Sequence, residues 1–459
     1  SLPTRTAVSW CALVSGYAKK GQGHEALNCF ERMHREGFSP DVVTSICILK
    51  ACGDIGAIEK GKTLHVEIIR EGLLEKDIVL GTALVDMYAK CGMLERAQEV
   101  FEELLHRNTV TWNSVISGYV KQGQAHDALN CFELLEREGM EPDAITFICI
   151  LNACGIVGAF DKGKQIHDDI LARGLLHKNI KLGNALVGMY AECGFVLRAE
   201  EIFNTMPFRN VASWIALIVG YTQNGFNQSA LESFDNMNSH GVSPTNVTFS
   251  SILKACGKRG VTCKGREIHN MIIKRGLEND VSVGNSLIDM YVSMGLLDEA
   301  HFVFDNLLVR DVVAWSSMIR GCGTNHEVNL AIYLFEAMQR DGVKPNAITF
   351  TCLLTACCHG RLITKGQDYF RMMRAEHHIL PTIEHYTCMV DLLARSGNLH
   401  EAERFIEMLN ISSQSIWAAL LNSCRTYVEP ELGIRCFCEL VGVNPEDATW
   451  YVLMSSIHV

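Results

Sequence analysis

The sequence lacks several features that mark common protein classes. No apolar run approaches the roughly 20 residues that span a bilayer, so we expect no membrane-bound form. Positive charge is not in excess, because 41 Lys and Arg stand against 52 Asp and Glu, giving a formal net charge of −11. This balance argues against coating nucleic acid by bulk charge but leaves room for a locally basic groove. With 48% hydrophobic residues, the composition excludes wholesale disorder.

No CxxC pair occurs, although the chain has 19 cysteines. The number is odd, and a secreted disulfide scaffold would be much shorter. We therefore expect a reducing compartment in which Cys serves as a small core residue. No targeting peptide is visible at Ser1–Pro3, and we expect the chain to be cut at the front, after any presequence.

The sequence repeats with a long period. Tryptophans recur at steps of 102, 102 and 101 residues, and each opens a similar segment, such as WCALVSGY and WNSVISGY. A second marker, KACG or a close variant, keeps the same step. The tryptophans are Trp10, Trp112, Trp214 and Trp315, and the second markers are Lys50–Gly53, Asn152–Gly155, Lys254–Gly257 and Thr355–Cys358.

Each cycle divides into three repeats of about 35, 35–36 and 31 residues, and each repeat is patterned as two short amphipathic helices. Several of the nine prolines lie in the turns between repeats. One helical hairpin cannot bury its own apolar face, but stacked hairpins can. The sequence therefore predicts an all-α, right-handed α-solenoid, a superhelix with one concave surface. The prolines in the turns are Pro40, Pro142, Pro244 and Pro345.

The pattern closely resembles the pentatricopeptide repeat (PPR) family, in the plant PLS subclass, which alternates P-type, L-type and S-type repeats of these lengths. The general alternative is a tetratricopeptide solenoid. The resemblance implies a remnant over 1–6 and twelve repeats over 7–413. The four P-L-S triplets cover 7–108, 109–210, 211–311 and 312–413.

The C-terminal residues resemble extensions found in organellar RNA-editing factors. Gln414–Asp447 resembles an E-type extension, and 448–459 resembles the start of a second one. In that family a zinc deaminase-like domain often follows, with HxE and CxxC pairs. We expect this chain to be truncated before any such domain and not to be an enzyme by itself.

The resemblance implies that two residues of each repeat read one RNA base: the fifth, and the last, which precedes the next repeat. The implied readings are U for Asn113/Asp143 and Asn285/Asp311, A for Thr82/Asn108 and Ser316/Asn346, a pyrimidine for Asn184/Asn210, and G for Ser250/Asp280. Polar groups at both points can pair with a base edge. Six fifth residues leave the base choice open: Cys11, Ile46, Ile148, Ile215, Thr351 and Thr387.

The second residue of a repeat is mostly Val or Ile, and the resemblance implies that it sandwiches a base. The alternative is a core residue at a helix start. Basic residues near the ends of first helices would meet phosphates, or would only compensate the helix dipole. The valines are Val79, Val110, Val247 and Val313, and the lysines are Lys19, Lys90 and Lys121.

Other signals of chemistry are weak, and we expect no cofactor and no metal. Gly56–Thr63 reads GAIEKGKT and fits GxxxxGK[ST], but a predicted helix rather than a strand precedes it. His65 and Glu67 form an HxE triplet without a CxxC partner. His65, His167 and His269 recur once per cycle, too far apart to share one metal ion.

These observations predict the target-recognition part of an organellar C-to-U RNA-editing factor that binds single-stranded RNA, one base per repeat. We expect it in the mitochondrion or chloroplast, with accessory editing proteins as further partners through L-type repeats or the E-type extension. Two alternatives remain: a PPR factor for RNA processing, splicing or stability without editing, and a tetratricopeptide-like protein-binding scaffold.

Overall fold

The computed structural model describes residues 6–74, 77–409, 413–427, 429–444, 447–455 and 457, without the side chains of Lys178 and Val443. Residues 1–5 of the predicted N-terminal remnant, and 456, 458 and 459 of the second predicted extension, lie outside the described residues. Over the described part the chain forms 27 α-helices and one 3₁₀ turn, Leu176–Lys178, with no strand. The predicted all-helical architecture is confirmed.

Twelve helices begin at the residues that the sequence pattern marks as repeat starts. These first helices are α1 Ala7–Lys19, α3 Val42–Ile55, α5 Ile78–Lys90, α7 Thr109–Lys121, α9 Ala144–Val157, α11 Ile180–Glu192, α13 Val211–Gln223, α15 Asn246–Arg259, α17 Val281–Ser293, α19 Val312–Thr324, α21 Ala347–Gly360 and α23 Ile383–Arg395.

A second helix follows each of them after a short turn. These second helices are α2 Gly23–Arg35, α4 Ile58–Arg70, α6 Leu94–Glu103, α8 Ala125–Arg137, α10 Phe160–Ala172, α12 Val196–Thr205, α14 Asn227–Ser239, α16 Thr262–Lys274, α18 Leu297–Asn306, α20 Val328–Arg340, α22 Ile363–Ala375 and α24 Leu399–Leu409. The remaining helices are α25 Gln414–Tyr427, α26 Pro430–Val443 and α27 Ala448–Ser455.

The helices pack into two compact modules. The N-terminal module comprises residues 1–229 and 239–242, and the C-terminal module comprises 230–238 and 243–459. Within each module, first helices of successive repeats pack side by side, and the two helices of a repeat that lies wholly in one module pack on each other. First helices therefore form one layer and second helices another, with the apolar core between them, as expected for stacked hairpins.

The recurring tryptophan is part of a three-residue contact that joins the third repeat of each of the first three cycles to the next first helix. Phe101 meets Trp112 edge to face with ring centroids 4.6 Å apart. The guanidinium of Arg107 lies 4.6 Å from the Phe101 centroid, and its Nε donates to the Phe101 carbonyl at 3.0 Å. Cation–π and aromatic contacts of this kind add to simple burial. The same contact recurs at Phe203, Arg209 and Trp214 and at Phe304, Arg310 and Trp315.

The first helix of the second repeat in each cycle ends in the left-handed backbone conformation. After α3, α9 and α15, Gly56, Gly158 and Gly260 have φ of 71°, 70° and 66° at this point. After α21, Arg361 has φ of 53°. Glycine adopts this conformation without steric cost, whereas a side chain is disfavoured.

The cysteines are free thiols, and many are enclosed between helices. Burial raises the pKa of Cys52, Cys154 and Cys256 to about 11. These thiols stay protonated at neutral pH and act as small apolar groups. No helix in the described part of the chain combines the length and the apolar character needed to cross a membrane.

Candidate nucleic-acid interface

The predicted last residue of a repeat caps the first helix of the next. Asp143 precedes α9, and its Oδ1 accepts hydrogen bonds from the backbone N–H groups of Ile145 and Thr146, both at 2.9 Å. Such side chains are favoured because the first N–H groups of a helix have no intrahelical acceptor. Asn108, Asn210, Asp280, Asp311 and Asn346 cap their helices in the same way.

Three of the predicted reading pairs are in direct contact. In each, the fifth residue is an Asn whose Nδ2 donates to the side chain of the last residue. The contacts are Asn113 to Asp143 Oδ1 at 3.0 Å, Asn184 to Asn210 Oδ1 at 3.3 Å, and Asn285 to both oxygens of Asp311 at 3.1 Å each.

Two further pairs are joined through a hydroxyl of the following repeat. Thr82 Oγ1 lies 2.8 Å from Thr111 Oγ1, which donates to Asn108 Oδ1 at 3.0 Å. All of these groups are on neighbouring first helices, α5 and α7, or at the cap between them. In the other pair, Ser316 Oγ lies 2.8 Å from Thr349 Oγ1, which donates to Asn346 Oδ1 at 3.0 Å.

The pair Ser250 and Asp280 is not brought together. Asp280 Oδ2 accepts from Nδ2 of Asn246 at 2.6 Å, and Oδ1 caps α17 through the N–H of Val283 at 3.0 Å. Ser250 Oγ is enclosed and has no hydrogen-bond partner among the described residues. Its predicted reading of G therefore has no preformed pair in this structure.

Sequence reasoning missed the third residue of the following repeat. Thr146 Oγ1 donates to Asn113 Oδ1 at 2.7 Å, and Ser213 Oγ donates to Asn184 Oδ1 at 2.6 Å. The available signal was a polar cap followed three residues later by Ser or Thr, which is a capping-box pattern. Four such hydroxyls contact a reading residue, namely those of Thr111, Thr146, Ser213 and Thr349.

Capping determines which atom of the last residue is left for a ligand. In Asn108 and Asn346 the Oδ1 faces the helix, so the Nδ2 group remains as a hydrogen-bond donor. In Asp143 one oxygen caps α9, so the other remains as an acceptor. Asn and Asp at the same backbone position thus present opposite hydrogen-bonding character.

The second residues of the repeats are exposed, which excludes the alternative that they are core residues. The exposed fractions are 56% for Val79, 58% for Val110, 54% for Val247 and 50% for Val313. Each lies three residues before a fifth residue on the same helix, so they are neighbours on one helix surface.

The three lysines differ in their surroundings. Lys19 and Lys121 are exposed at the ends of α1 and α7. Lys90 Nζ contacts Asp54 Oδ1 at 2.9 Å and Asp86 Oδ2 at 2.8 Å. Burial alone would lower the pKa of Lys90, but the hydrogen bonds to Asp86 and Asp54 outweigh it and raise the pKa. The charge of Lys90 is thus already balanced within the protein.

The other sequence signals lie in ordinary parts of the repeats. The stretch Gly56–Thr63 comprises the two-residue turn after α3 and the first six residues of the helix α4, where Lys62 pairs with Glu59 at 2.8 Å. His65 is hydrogen-bonded to Tyr88. Among the described residues, no three His, Cys, Asp or Glu side chains are grouped so as to hold a metal ion.

Comparison with known sequences identifies the repeats. Residues 5–54, 107–155, 209–258 and 310–359 match the model of the PPR repeat family. Residues 82–109, 184–211, 285–312, 348–378 and 384–410 match the model of the PPR repeat. The two sets together cover most of the chain.

Curated relatives and solved structures agree with this match. A chloroplastic pentatricopeptide repeat-containing protein of Arabidopsis thaliana is 34% identical over 100% of this chain and 56% of its own length. A mitochondrial one is 34% identical over 99% of this chain and 82% of its own length. The chain spans 55% to 66% of the first three relatives.

The similarity to solved structures concerns the fold. PPR10 from maize covers 99% of this chain, and 76% of its own chain is matched, with a TM-score of 0.53 at 17% identity. PPR10 in complex with an 18-nt psaJ RNA element has a TM-score of 0.56 at 16% identity. The match covers 100% of this chain and 82% of the PPR10 chain. On its repeat sequences, its helical repeat solenoid and its relatives, this chain belongs to the pentatricopeptide repeat family.

Proposed function

We propose that the chain binds single-stranded RNA sequence-specifically, with one base per repeat. The observation that carries this proposal is the polar cluster of Asn113, Asp143 and Thr146, which lies next to the exposed Val110 and recurs with variations in other repeats. A flat apolar side chain beside a small polar cluster suits a splayed base, which needs one stacking surface and one hydrogen-bonding edge.

The hydrogen-bonding character of the last residue supports the assigned bases. Uracil and guanine carry a ring N–H that donates, whereas adenine and cytosine have a ring nitrogen that accepts. The carboxylate of Asp143 or Asp311 therefore favours U or G, and the Nδ2 of Asn108, Asn210 or Asn346 favours A or C. The target that follows reads N-N-A-U-N-Y-N-R-U-A-N-N from the 5′ end.

PPR10 has been solved in complex with an RNA element, which supports RNA as the ligand class here. The relatives named chloroplastic and mitochondrial support an organellar location. The alternating repeat lengths and the E-type resemblance of Gln414–Asp447 support a PLS-type editing factor. In this role an edited C lies four bases beyond the last repeat's base, and a deaminase acting in cis or in trans supplies the chemistry.

The test is binding of the chain to a fluorescent RNA with the proposed target, against an RNA in which the A and U positions are exchanged. Both are titrated over a salt series. We expect affinity that falls with salt and drops about tenfold or more on the exchange. Equal binding to both RNAs at all salt concentrations would overturn base reading, and no binding would favour a protein-binding scaffold.

A further inference from the structure

We propose that the hydroxyl of the third residue in the following repeat is a specificity-determining positioning group, which holds the fifth-residue amide in one orientation for its base. This inference rests on the proposed function and adds a residue to each reading site. It predicts that two repeats with identical fifth and last residues differ in selectivity according to this one hydroxyl.

The chain contains the comparison that supports this proposal. Asn113/Asp143 and Asn285/Asp311 are the same pair of residues in equivalent places. At the first pair Thr146 Oγ1 donates to Asn113 Oδ1 at 2.7 Å, while Nδ2 donates to Asp143. Both ends of the amide thereby have a partner, and a rotation by 180° would set Oδ1 against the Asp143 carboxylate, an acceptor against an acceptor.

At the second pair the hydroxyl is absent from the sequence, because the third residue of the following repeat is Ala314. Asn285 Nδ2 still donates to Asp311 at 3.1 Å. Its Oδ1, however, is enclosed and has no hydrogen-bond partner among the described residues. An enclosed acceptor without a donor is unfavourable, so this amide is held by one end only.

Ser250 shows the same dependence in a repeat with a different fifth residue. The third residue of the following repeat is Val283, which has no polar side-chain atom. Ser250 Oγ is enclosed and without a partner among the described residues. Where a hydroxyl follows, as at Thr82 with Thr111, the fifth residue is hydrogen-bonded at 2.8 Å. The third residue of the following repeat thus contributes to fixing the fifth in the free protein.

Fixing the amide matters because Asn offers a donor at one end and an acceptor at the other. With one lone pair of Asn113 Oδ1 taken by Thr146 and one hydrogen of Nδ2 taken by Asp143, the remaining acceptor and donor positions of the amide have a fixed arrangement for the base. An amide held at one end only is less firmly oriented and therefore discriminates less between bases that differ in donor and acceptor order. We expect the Asn113 position to be more selective than the Asn285 position.

The test compares RNAs that differ only at the fourth base, read by Asn113, or only at the ninth, read by Asn285. Thr146→Val keeps the side-chain shape and removes the hydroxyl. It is expected to reduce the preference for U at the fourth base about five- to tenfold and to leave the ninth unchanged. Thr146→Ser is expected to restore the preference. Ala314→Ser introduces a hydroxyl of the kind that Ser213 supplies to Asn184, and should raise selectivity at the ninth base only.

Thr248→Val is the matched control for loss of the cap. Thr248 Oγ1 accepts from the N–H of Thr245 at 3.2 Å, as Thr146 Oγ1 does from Asp143 at 3.1 Å. The fifth residue of its preceding repeat is Ile215, which has no amide. Thr248→Val should therefore change no base preference.

The outcomes separate this inference from the proposed function. An unmodified chain without any base preference overturns the proposed function and this inference with it. An unmodified chain that reads bases, combined with a folded Thr146→Val variant of unchanged preference at the fourth base, overturns the inference alone. If Thr146→Val weakens binding to every RNA variant by the same factor, Thr146 contributes to folding only, and the inference is also overturned.

Discussion

The imidazole Nδ1 of His65 lies 2.9 Å from the hydroxyl of Tyr88, and this contact joins α4 of one repeat to α5 of the next. It recurs at 3.0 Å between His167 and Tyr190 and at 2.8 Å between His269 and Tyr291. The histidines that recur once per cycle thus each have a partner at the junction between the second and third repeats of a cycle.

These contacts predict a loss of stability in acid. Burial lowers the pKa of His65, His167 and His269 below the usual value of about 6.5. A lowered pKa means that the unfolded chain binds the proton more readily. The stabilising effect is therefore complete above about pH 6.5 and is lost as the pH falls through the lowered pKa.

We expect the urea midpoint to fall between pH 7.5 and 5.5, and to fall less when all three histidines are replaced by Gln. His106→Gln, at an exposed position, is the control and should leave the pH dependence unchanged. An identical pH profile for the triple variant and the unmodified protein would contradict this assignment.

The left-handed end of α21 predicts a stabilising substitution. Arg361→Gly removes a side chain from a backbone conformation that disfavours it, and we expect a gain of about 1 kcal/mol. The reverse change, Gly56→Ala, should cost about as much, because a Cβ there meets no atom within 4 Å and only the backbone is strained. Denaturant unfolding of both variants measures the two effects. A destabilised Arg361→Gly protein would show that the Arg side chain contributes more than its backbone costs.

The aromatic contact of Phe101 with Trp112 should contribute strongly to the stability of the N-terminal module. Phe101→Ala removes an enclosed ring and is expected to cost about 3–5 kcal/mol. Hydrogen exchange should show faster opening of α6 and α7. Leu105→Ala lies four residues away at a site that is 74% exposed and should change little. Equal effects of the two substitutions would mean that the ring contact is not a stabilising feature.

In the proposed function, exchanging Asn for Asp at a last position should exchange the base. Asn108→Asp replaces an outward donor by an acceptor, so preference at the third base should move from A towards G. Asp143→Asn should move preference at the fourth base from U towards C. Each change should be about tenfold or more, since one good base contact is worth about 1–3 kcal/mol. Binding to RNAs that vary at that base alone measures it, and unchanged preferences would exclude the last residues from reading.

The lysines should differ in their contribution to RNA affinity. Lys121→Ala should weaken binding to all sequences equally and reduce the slope of log affinity against log salt by about 1. Lys90 is already paired with Asp54 and Asp86, so Lys90→Ala should change the slope less. If Lys90→Ala changes the salt slope more than Lys121→Ala does, the prediction is wrong and Lys90 is the more important phosphate contact.

The predicted triplet starts, residues 7, 109, 211 and 312, coincide with the starts of α1, α7, α13 and α19, because helix initiation is local. The cap residue, the apolar spacing and the terminal glycine all act within a few positions of one another. The all-helical repeat fold followed from the period of Trp10, Trp112, Trp214 and Trp315, of which the last three share one packing contact.

Two features of the site could not be predicted because they join distant residues. The hydrogen bond from Thr146 to Asn113 spans 33 positions and two repeats. The carboxylate of Asp280 is taken by Asn246, the first residue of its own repeat, rather than by Ser250. Nothing in the local pattern ranks these competing partners, which only the packed first helices bring within reach.

Helix capping restricts which side chains can stand at the last position of a repeat, and with them, in the proposed function, which bases the protein can read. Because the last residue of a repeat must also start the next helix, it is drawn from the few side chains that cap well, chiefly Asn, Asp, Ser and Thr. Asn and Asp cap about equally, so the chain can exchange one for the other at little cost in stability. In the proposed function, a lineage can therefore change its target one letter at a time while its scaffold stays intact.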